Sequence, residues 1–498
     1  MAAFLKLSSL LLFLTLLFLA NICRGNKVKN IMDSKLDKIK QRLSGQMKGE
    51  EVDEIVAKLA KLRGIGKQKF AKKNGGGELK KLSLTTLTAK TNVTDAAVEK
   101  SDDENVGMKS VLFQGDMMLS SKQLNKLIAI AEKENEENVT DDTFAVRSKR
   151  QAMGDESGVT LFNKKLPIYY KFDETFSDET KRDLFRRAAA DWTDHSCLNL
   201  VELLEGQTGK QQIIVQSVGD HPSGLKCFSY WGYTPGGTLL NLYDGCELYE
   251  TYAHEIGHAL GFYHTFARWD RDDYVHVKLT GNEEDDYQFK METPESNNNF
   301  GLPYDLESIM HYPSDPVTGD MTAIDTRRKY IIGSENLITF TDYNMLNKLY
   351  KCEASCSAGG ETCQNGGFRN PKSCDVCICP RGFTGNDCSE EATHEYTDIQ
   401  CGGSLTATSA SKTKLYTLNP NYAEKHIEAA TCNWHIHAPS CKQIKVQFTT
   451  FTGPTINSFP CSDFGLEFRG EQIEIAGFRI CKSNQISTSQ SPKTFTAE

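Results

Sequence analysis

Residues 254–264 read His-Glu-Ile-Gly-His-Ala-Leu-Gly-Phe-Tyr-His. On an α-helix, residues four apart share a face, so His254 and His258 project their rings together. Two such rings can grip one Zn²⁺, with Glu255 beside any water that the metal holds. His264 lies six residues past His258, roughly 9 Å further along a continuous helix. It reaches the same metal only if the helix stops. Gly261 stands where that stop is needed, because glycine accepts positive φ without a steric penalty. The stretch predicts a helix that ends at Gly261 and a turn that brings His264 under the metal.

The bare H-E-x-x-H pattern also occurs on ordinary amphipathic helices. Gly261 and His264 at their offsets complete the extended metzincin signature. Ser308-Ile309-Met310-His311-Tyr312 resembles the Met-turn of that clan; alone it would read as a buried Ile-Met pair in a loop. Arg268-Trp269-Asp270-Arg271-Asp272-Asp273-Tyr274-Val275 follows the third histidine, and Pro303-Tyr304-Asp305 precedes the Met-turn. With these segments the chain resembles the astacin family of metalloendopeptidases. The resemblance implies one Zn²⁺ per catalytic domain, held by His254, His258 and His264. It makes Glu255 the general base, and Tyr312 a resting ligand that swings to the developing oxyanion. Met310 is then a packing floor and not a ligand. A structural zinc site is excluded, because such sites close all four positions with Cys or His.

At 498 residues the chain is too long for one compact core, so several domains are expected. A net charge of −9 carries no basic excess, and no nucleic-acid partner is expected. Residues 1–25 read as a signal peptide: Lys6, then an apolar run from Leu10 to Ala20 that is shorter than a membrane span. An uncleaved signal anchor is the alternative. No other apolar stretch approaches spanning length, so the expectation is a secreted, extracellular protein. Of the 16 cysteines only Cys23 precedes Cys197, which reads as a disulfide framework in an exported chain.

Residues 26–150 read as a removable pro-segment. Val52, Ile55, Val56, Leu59 and Leu62 fall at helical spacing, and the lysine-rich stretch 61–81 reads as a solvated helix face. Asn92 and Asn138 sit in glycosylation sequons. Arg147-Ser148-Lys149-Arg150 is a dense basic site of the kind cut by furin-type convertases, with cleavage between Arg150 and Gln151. Phe113-Gln114-Gly115-Asp116 resembles the motif by which astacin pro-segments hold the enzyme inactive. Asp116 is then the zymogen zinc ligand, and Gly115 lets the backbone approach the metal. Read without the resemblance, the tetrapeptide is a turn before an apolar strand.

The expected fold class is α+β. Residues 151–352 form a metzincin-like catalytic domain with a twisted sheet and the zinc helix. Residues 353–389 form a small disulfide-rich EGF-like module, and 401–498 an all-β CUB-like sandwich that ends early. Leu166 to Tyr170 and Ile213 to Val215 read as strands. Ser177-Asp178-Glu179 reads as a helix N-cap, with Leu184, Ala188 and Trp192 following at helical spacing. Cys227 to Trp231 resembles the edge strand along which astacins lay an extended substrate. The family likeness implies bridges Cys197–Cys352 and Cys227–Cys246. EGF likeness implies Cys356–Cys374, Cys363–Cys377 and Cys379–Cys388; CUB likeness implies Cys401–Cys432 and Cys461–Cys481, with Cys441 left over.

One position departs from the family. Most astacins carry glutamate directly after the third histidine, where it receives the new amino terminus; here it is Thr265. The expectation is maturation without a buried terminal ion pair, with neutral hydrogen bonds to Thr265 instead. The sequence therefore predicts a secreted zinc endopeptidase made as a zymogen and acting on extracellular proteins. By analogy with nematode astacins, which the module order resembles, matrix or cuticle proteins including collagens are the expected substrates, in moulting or hatching. The competing class, a matrix-binding protein with a dead protease domain, conflicts with intact His254, Glu255, His258, His264 and Tyr312.

Overall fold

The computed structural model describes residues 40, 49–73, 112–136, 150–153, 160–204, 206–218, 227–243, 245–280, 283–294, 296–315, 319–334, 336–356, 362–395, 401–407, 431–438, 444, 465–470 and 472–480. The expected signal peptide, the sequons at Asn92 and Asn138, residues 147–149, and Cys441, Cys461 and Cys481 lie outside them. The chain divides into two units: residues 1–143 with 218–226, and residues 144–217 with 227–498.

In the first unit, helix α1 (Gly49–Lys73) buries Val52, Ile55, Leu59, Leu62 and Ile65 on one face. Helix α2 (Ser121–Glu136) turns Leu124, Leu127 and Ile128 inward. Polar bonds between the two flank these stripes: Lys58 Nζ donates to Ser121 O at 3.3 Å, and Lys61 meets Glu132 at 2.9 Å. Ahead of α2, Phe113 and Met117 exchange backbone hydrogen bonds of 2.8 and 3.1 Å around a tight turn. Gln114 and Gly115 take φ of 53° and 101° there, and the short strand Met117–Met118 follows.

The second unit opens with the strand Arg150–Met153, antiparallel to Asn297–Asn299. Its main sheet holds β1 (Ile168–Phe172), β2 (Leu200–Glu202), β3 (Gln212–Gln216), β4 (Phe228–Tyr230) and β5 (Thr238–Asn241). Within this unit they lie in the order β4-β5-β3-β1-β2, antiparallel only between β4 and β5. Parallel neighbours need a crossover. Helix α3 (Glu179–Asp194) supplies the one from β1 to β2. Asp178 caps it by accepting from the amides of Thr180 and Lys181. Its buried face is Phe185, Ala188, Ala189 and Trp192; of the residues expected at helical spacing Ala188 and Trp192 lie on it, and Leu184 is half-buried beside Phe185.

Helix α4 (Tyr249–Ala259) is buried along its length against α3, where the Trp192 indole donates to Ala253 O at 3.0 Å. Helix α5 (Phe340–Leu349) starts at a reciprocal capping box of Thr339 and Asp342. A disulfide between Cys197 and Cys352 joins the chain beyond α3 to the chain beyond α5, and a second joins Cys227 to Cys246. Downstream, bridges link Cys356–Cys374, Cys363–Cys377, Cys379–Cys388 and Cys401–Cys432, around short two-stranded ladders. Among the described residues no helix is long and apolar enough to cross a membrane.

Candidate metal centre

Helix α4 ends in a Schellman turn. The amide of Gly261 donates to His258 O at 2.9 Å and that of Phe262 to Gly257 O at 3.0 Å, while Gly261 takes φ 109°. The chain reverses, and His264 returns beneath the two helical histidines. Ring centroids of His254, His258 and His264 stand 4.6, 5.1 and 4.6 Å apart, and each offers a nitrogen within 4.8 Å of the others.

Backbone carbonyls orient two of the rings. His254 Nδ1 lies 2.7 Å from Ile309 O, and His258 Nδ1 lies 2.9 Å from Phe262 O. A carbonyl can only accept, so each Nδ1 carries the proton and each Nε2 keeps its lone pair. Those two Nε2 atoms face one another at 3.0 Å. Opposed lone pairs in a buried site repel unless a cation sits between them. A tetrahedral zinc bound at about 2.0–2.1 Å would separate its nitrogens by roughly 3.3 Å, so the donor set fits that ion. The turn that ends the helix thus also supplies the carbonyl that aims the second ring.

Glu255 is buried on the same helix. Tyr312 packs its ring 4.4 Å from His264 and 6.1 Å from His254, and His264 stacks on Phe266 at 4.7 Å. Met310 is fully buried beneath α4: a Cβ built on Gly257 would stand 2.5 Å from its Sδ. Here a helix-interior glycine has a packing reason.

Polar contacts behind the Met-turn were not visible in the sequence. Thr265 donates its hydroxyl proton to Ser308 Oγ at 2.8 Å, and Ser308 donates to Asp342 Oδ1 at 2.6 Å. Asp342 Oδ2 accepts from the Ile309 amide at 2.8 Å, and the Thr265 amide donates to Met310 O at 2.9 Å. The hydroxyl expected to hold a new terminus is therefore engaged with the Met-turn in this chain. Burial raises the Asp342 carboxyl above its ordinary value. Burial, and next the charge of Asp342, push Asp305 up to about 6. The T-x-x-D pattern of residues 339–342 signals a helix start, but not this reach across the fold.

Residues 158–351 match the sequence profile of the peptidase family described as Astacin. This region belongs to the astacin family. Among this astacin's relatives, zinc metalloproteinase nas-31 of Caenorhabditis elegans is 33% identical over 77% of this chain and 59% of its own length. Zinc metalloproteinase dpy-31 of the same organism is 32% identical over 68% of this chain and 54% of its own. The chain thus spans little more than half the length of these curated relatives. The solved hatching enzyme HCE-1 of the medaka fish Oryzias latipes is 26% identical, covering 39% of this chain and 94% of its own at a TM-score of 0.33.

Of the other residues singled out in the astacin sequence, Arg150 and Gln151 open the strand that runs beside Asn297–Asn299. Asp116 closes the Phe113–Met117 turn of the first unit.

Proposed function

We propose that this chain is a secreted zinc endopeptidase made as a zymogen. The observation that carries the reading is the three buried imidazoles facing one point from α4 and the turn after it, with Glu255 on the same helix. His254, His258 and His264 hold the ion. Bound zinc supplies a Lewis acid that brings the attacking water's pKa near neutrality. Glu255 takes a proton from that water as it attacks the scissile carbonyl, then delivers it to the leaving amine. Tyr312 turns its hydroxyl to the oxyanion that forms. Met310 packs beneath the rings and touches no substrate. An extended peptide adds to strand β4 by backbone hydrogen bonds, which holds its carbonyl in place.

In the precursor, Asp116 occupies the metal from the pro-segment, 26–150. The turn before Met117 has two positive φ values, and a carboxylate such as that of Asp116 is a competent zinc ligand. A furin-type convertase cuts after Arg150 and frees Gln151. Sugar on Asn92 and Asn138 is lost with the pro-segment. EGF-like residues 353–389 and CUB-like residues 401–498, the latter with a Cys461–Cys481 bridge, guide the enzyme to extracellular proteins. Matrix or cuticle proteins, collagens among them, are the substrate class. The nematode relatives, named zinc metalloproteinases, support the zinc-dependent peptidase itself, and the substrate class rests on analogy.

The test is digestion of a peptide library by the processed chain, beside Glu255→Gln and beside wild type stripped by a chelator. Cleavage is expected from wild type only, returning when zinc is restored. Equal cleavage by Glu255→Gln would overturn the assignment of the base. Retained Zn²⁺ with no cleavage of any peptide would overturn the peptidase reading.

A further inference from the structure

Glu307 immediately precedes the Met-turn segment and is buried. Ser334 Oγ donates to its Oε1 at 2.8 Å. The cation against the same oxygen comes from far along the chain: Arg479, in the strand Phe478–Ile480 near the end of the described residues. Arg479 is itself buried and also meets Glu467 at 3.0 Å, its neighbour across the antiparallel pair Leu466–Phe468 and Phe478–Ile480. Burial alone would raise the Glu467 carboxyl. Arg469 and Arg479 outweigh it and hold that group well below its ordinary value. The guanidinium is therefore clamped between one carboxylate of its own module and one of the catalytic domain.

Apolar and backbone contacts run alongside. Ala476 joins Val275, Tyr304, Leu306 and Ile331 in one buried cluster. Thr341, in the first turn of α5, donates to Glu474 O at 3.2 Å. Three carboxylates, Asp305, Glu307 and Asp342, are buried behind the Met-turn. A cluster of that charge in a dry site needs fixed cations.

We propose that Arg479 is a positioning residue for the metal centre, acting through Glu307, and that this C-terminal segment is part of the working catalytic fold. The path is short. Glu307 fixes the start of the Met-turn; the next residue, Ser308, accepts from Thr265 and donates to Asp342. The carbonyl after that, on Ile309, orients His254. Without Arg479 a buried carboxylate loses its counter-charge, and the segment must shift to bring it to water. His254 then loses its fixed partner, the kind of loss that lowers metal affinity or turnover by roughly 10–100-fold.

The kinetic part of the test rests on the proposed peptidase activity; the rest does not. In the chain expressed at full length and processed after Arg150, Arg479→Ala, Arg479→Lys and the double variant Arg479→Ala/Glu307→Gln are compared with wild type. Amide exchange at Ile309 and Met310, zinc loss to a chelator, and kcat and KM on a cleaved peptide are read. Arg479→Ala should speed exchange and zinc loss by about 10-fold and lower kcat about as much, with KM little changed. Arg479→Lys should fall between. The double variant should recover most of the loss, because no unpaired charge remains. Should Arg479→Ala fail to fold, the other two variants carry the test by the same readouts. Wild-type exchange and zinc retention in Arg479→Ala, or no recovery in the double variant, would overturn the proposal. If wild type cleaves nothing while exchange and zinc loss respond as described, the peptidase reading fails and the role of Arg479 stands.

Discussion

His254 Nδ1 lies 2.7 Å from the carbonyl oxygen of Ile309, so the first histidine of the helix is aimed by the Met-turn. The two segments are 55 residues apart in sequence and are joined by this contact. Substitutions on either side of that joint should be read by their effect on the other.

Gly257 and Met310 make the joint tight. Alanine has the better helix propensity by about 1 kcal/mol. At 257 its Cβ would stand 2.5 Å from Met310 Sδ and 3.3 Å from Cε. Met310 is fully buried and cannot swing to solvent. Overpacking of this kind costs about 1–3 kcal/mol, so Gly257→Ala should lower the melting temperature despite its propensity. In a Met310→Ala background the same change should become neutral or stabilising. Thermal unfolding of the four proteins decides it, and equal effects in both backgrounds would refute the contact.

Thr265 is fully buried, with its hydroxyl proton on Ser308. Thr265→Val should cost about 1–2 kcal/mol by leaving a buried acceptor short of its donor. Thr265→Ser keeps the hydroxyl and should cost less. Restoring the glutamate common elsewhere in the family would bury a carboxylate beside the Ser308–Asp342 pair. A loss on the order of 3 kcal/mol or more is expected, as for an uncompensated buried charge. Urea midpoints for the three variants give the ranking; a stabilising Thr265→Glu would contradict it.

Asp305 sets a pH dependence. Its carboxyl is pushed up to about 6, first by burial and then by Asp342, so the folded state favours its protonated form. The stabilising share of that proton is complete below the ordinary value near 4 and is lost as pH rises through about 6. Asp305→Asn should therefore stabilise the fold at pH 7 by about 1–3 kcal/mol and change little at pH 4. Asparagine Oδ1 can still accept from the Glu307 amide, as Asp305 Oδ1 does at 3.1 Å. Chemical unfolding at the two pH values measures the difference; a gain of equal size at both would be the wrong outcome.

The Cys197–Cys352 bridge closes a loop with a sequence separation of 155. In the chain-entropy account a loop of that length contributes about 5 kcal/mol by restricting the unfolded chain. Replacing both cysteines with serine should remove about 2–5 kcal/mol. Because the bridge joins the chain beyond α3 to the chain beyond α5 and neither cysteine lies in the 254–264 motif, the zinc-bound fraction at saturating metal should remain near one. Metal content below the unfolding midpoint is the check.

Local chemistry made parts of this fold readable in advance. The 254–258 spacing and Gly261 specify a helix, its end and the turn, because all three depend on residues within one segment. Asp178 as a cap was readable for the same reason. On α3, Ala188 and Trp192 lie on the buried face as their helical spacing predicts, with Phe185 and Ala189 completing the i, i+3, i+4, i+7 stripe and Leu184 only half-buried. Contacts between distant residues left no local trace. Ser308 meets Asp342 across 34 positions, and Arg479 reaches Glu307 from the strand Phe478–Ile480. Nothing near any of these four side chains in the sequence names its partner.

The positive φ at Gly261 carries a consequence for stereochemistry. Whether three imidazoles meet rests on the handedness permitted at a single α-carbon. A chemically assembled protein with D-alanine at that site should form the same triad. Its L-enantiomer would steer the third ring away, with every side chain of the motif unaltered.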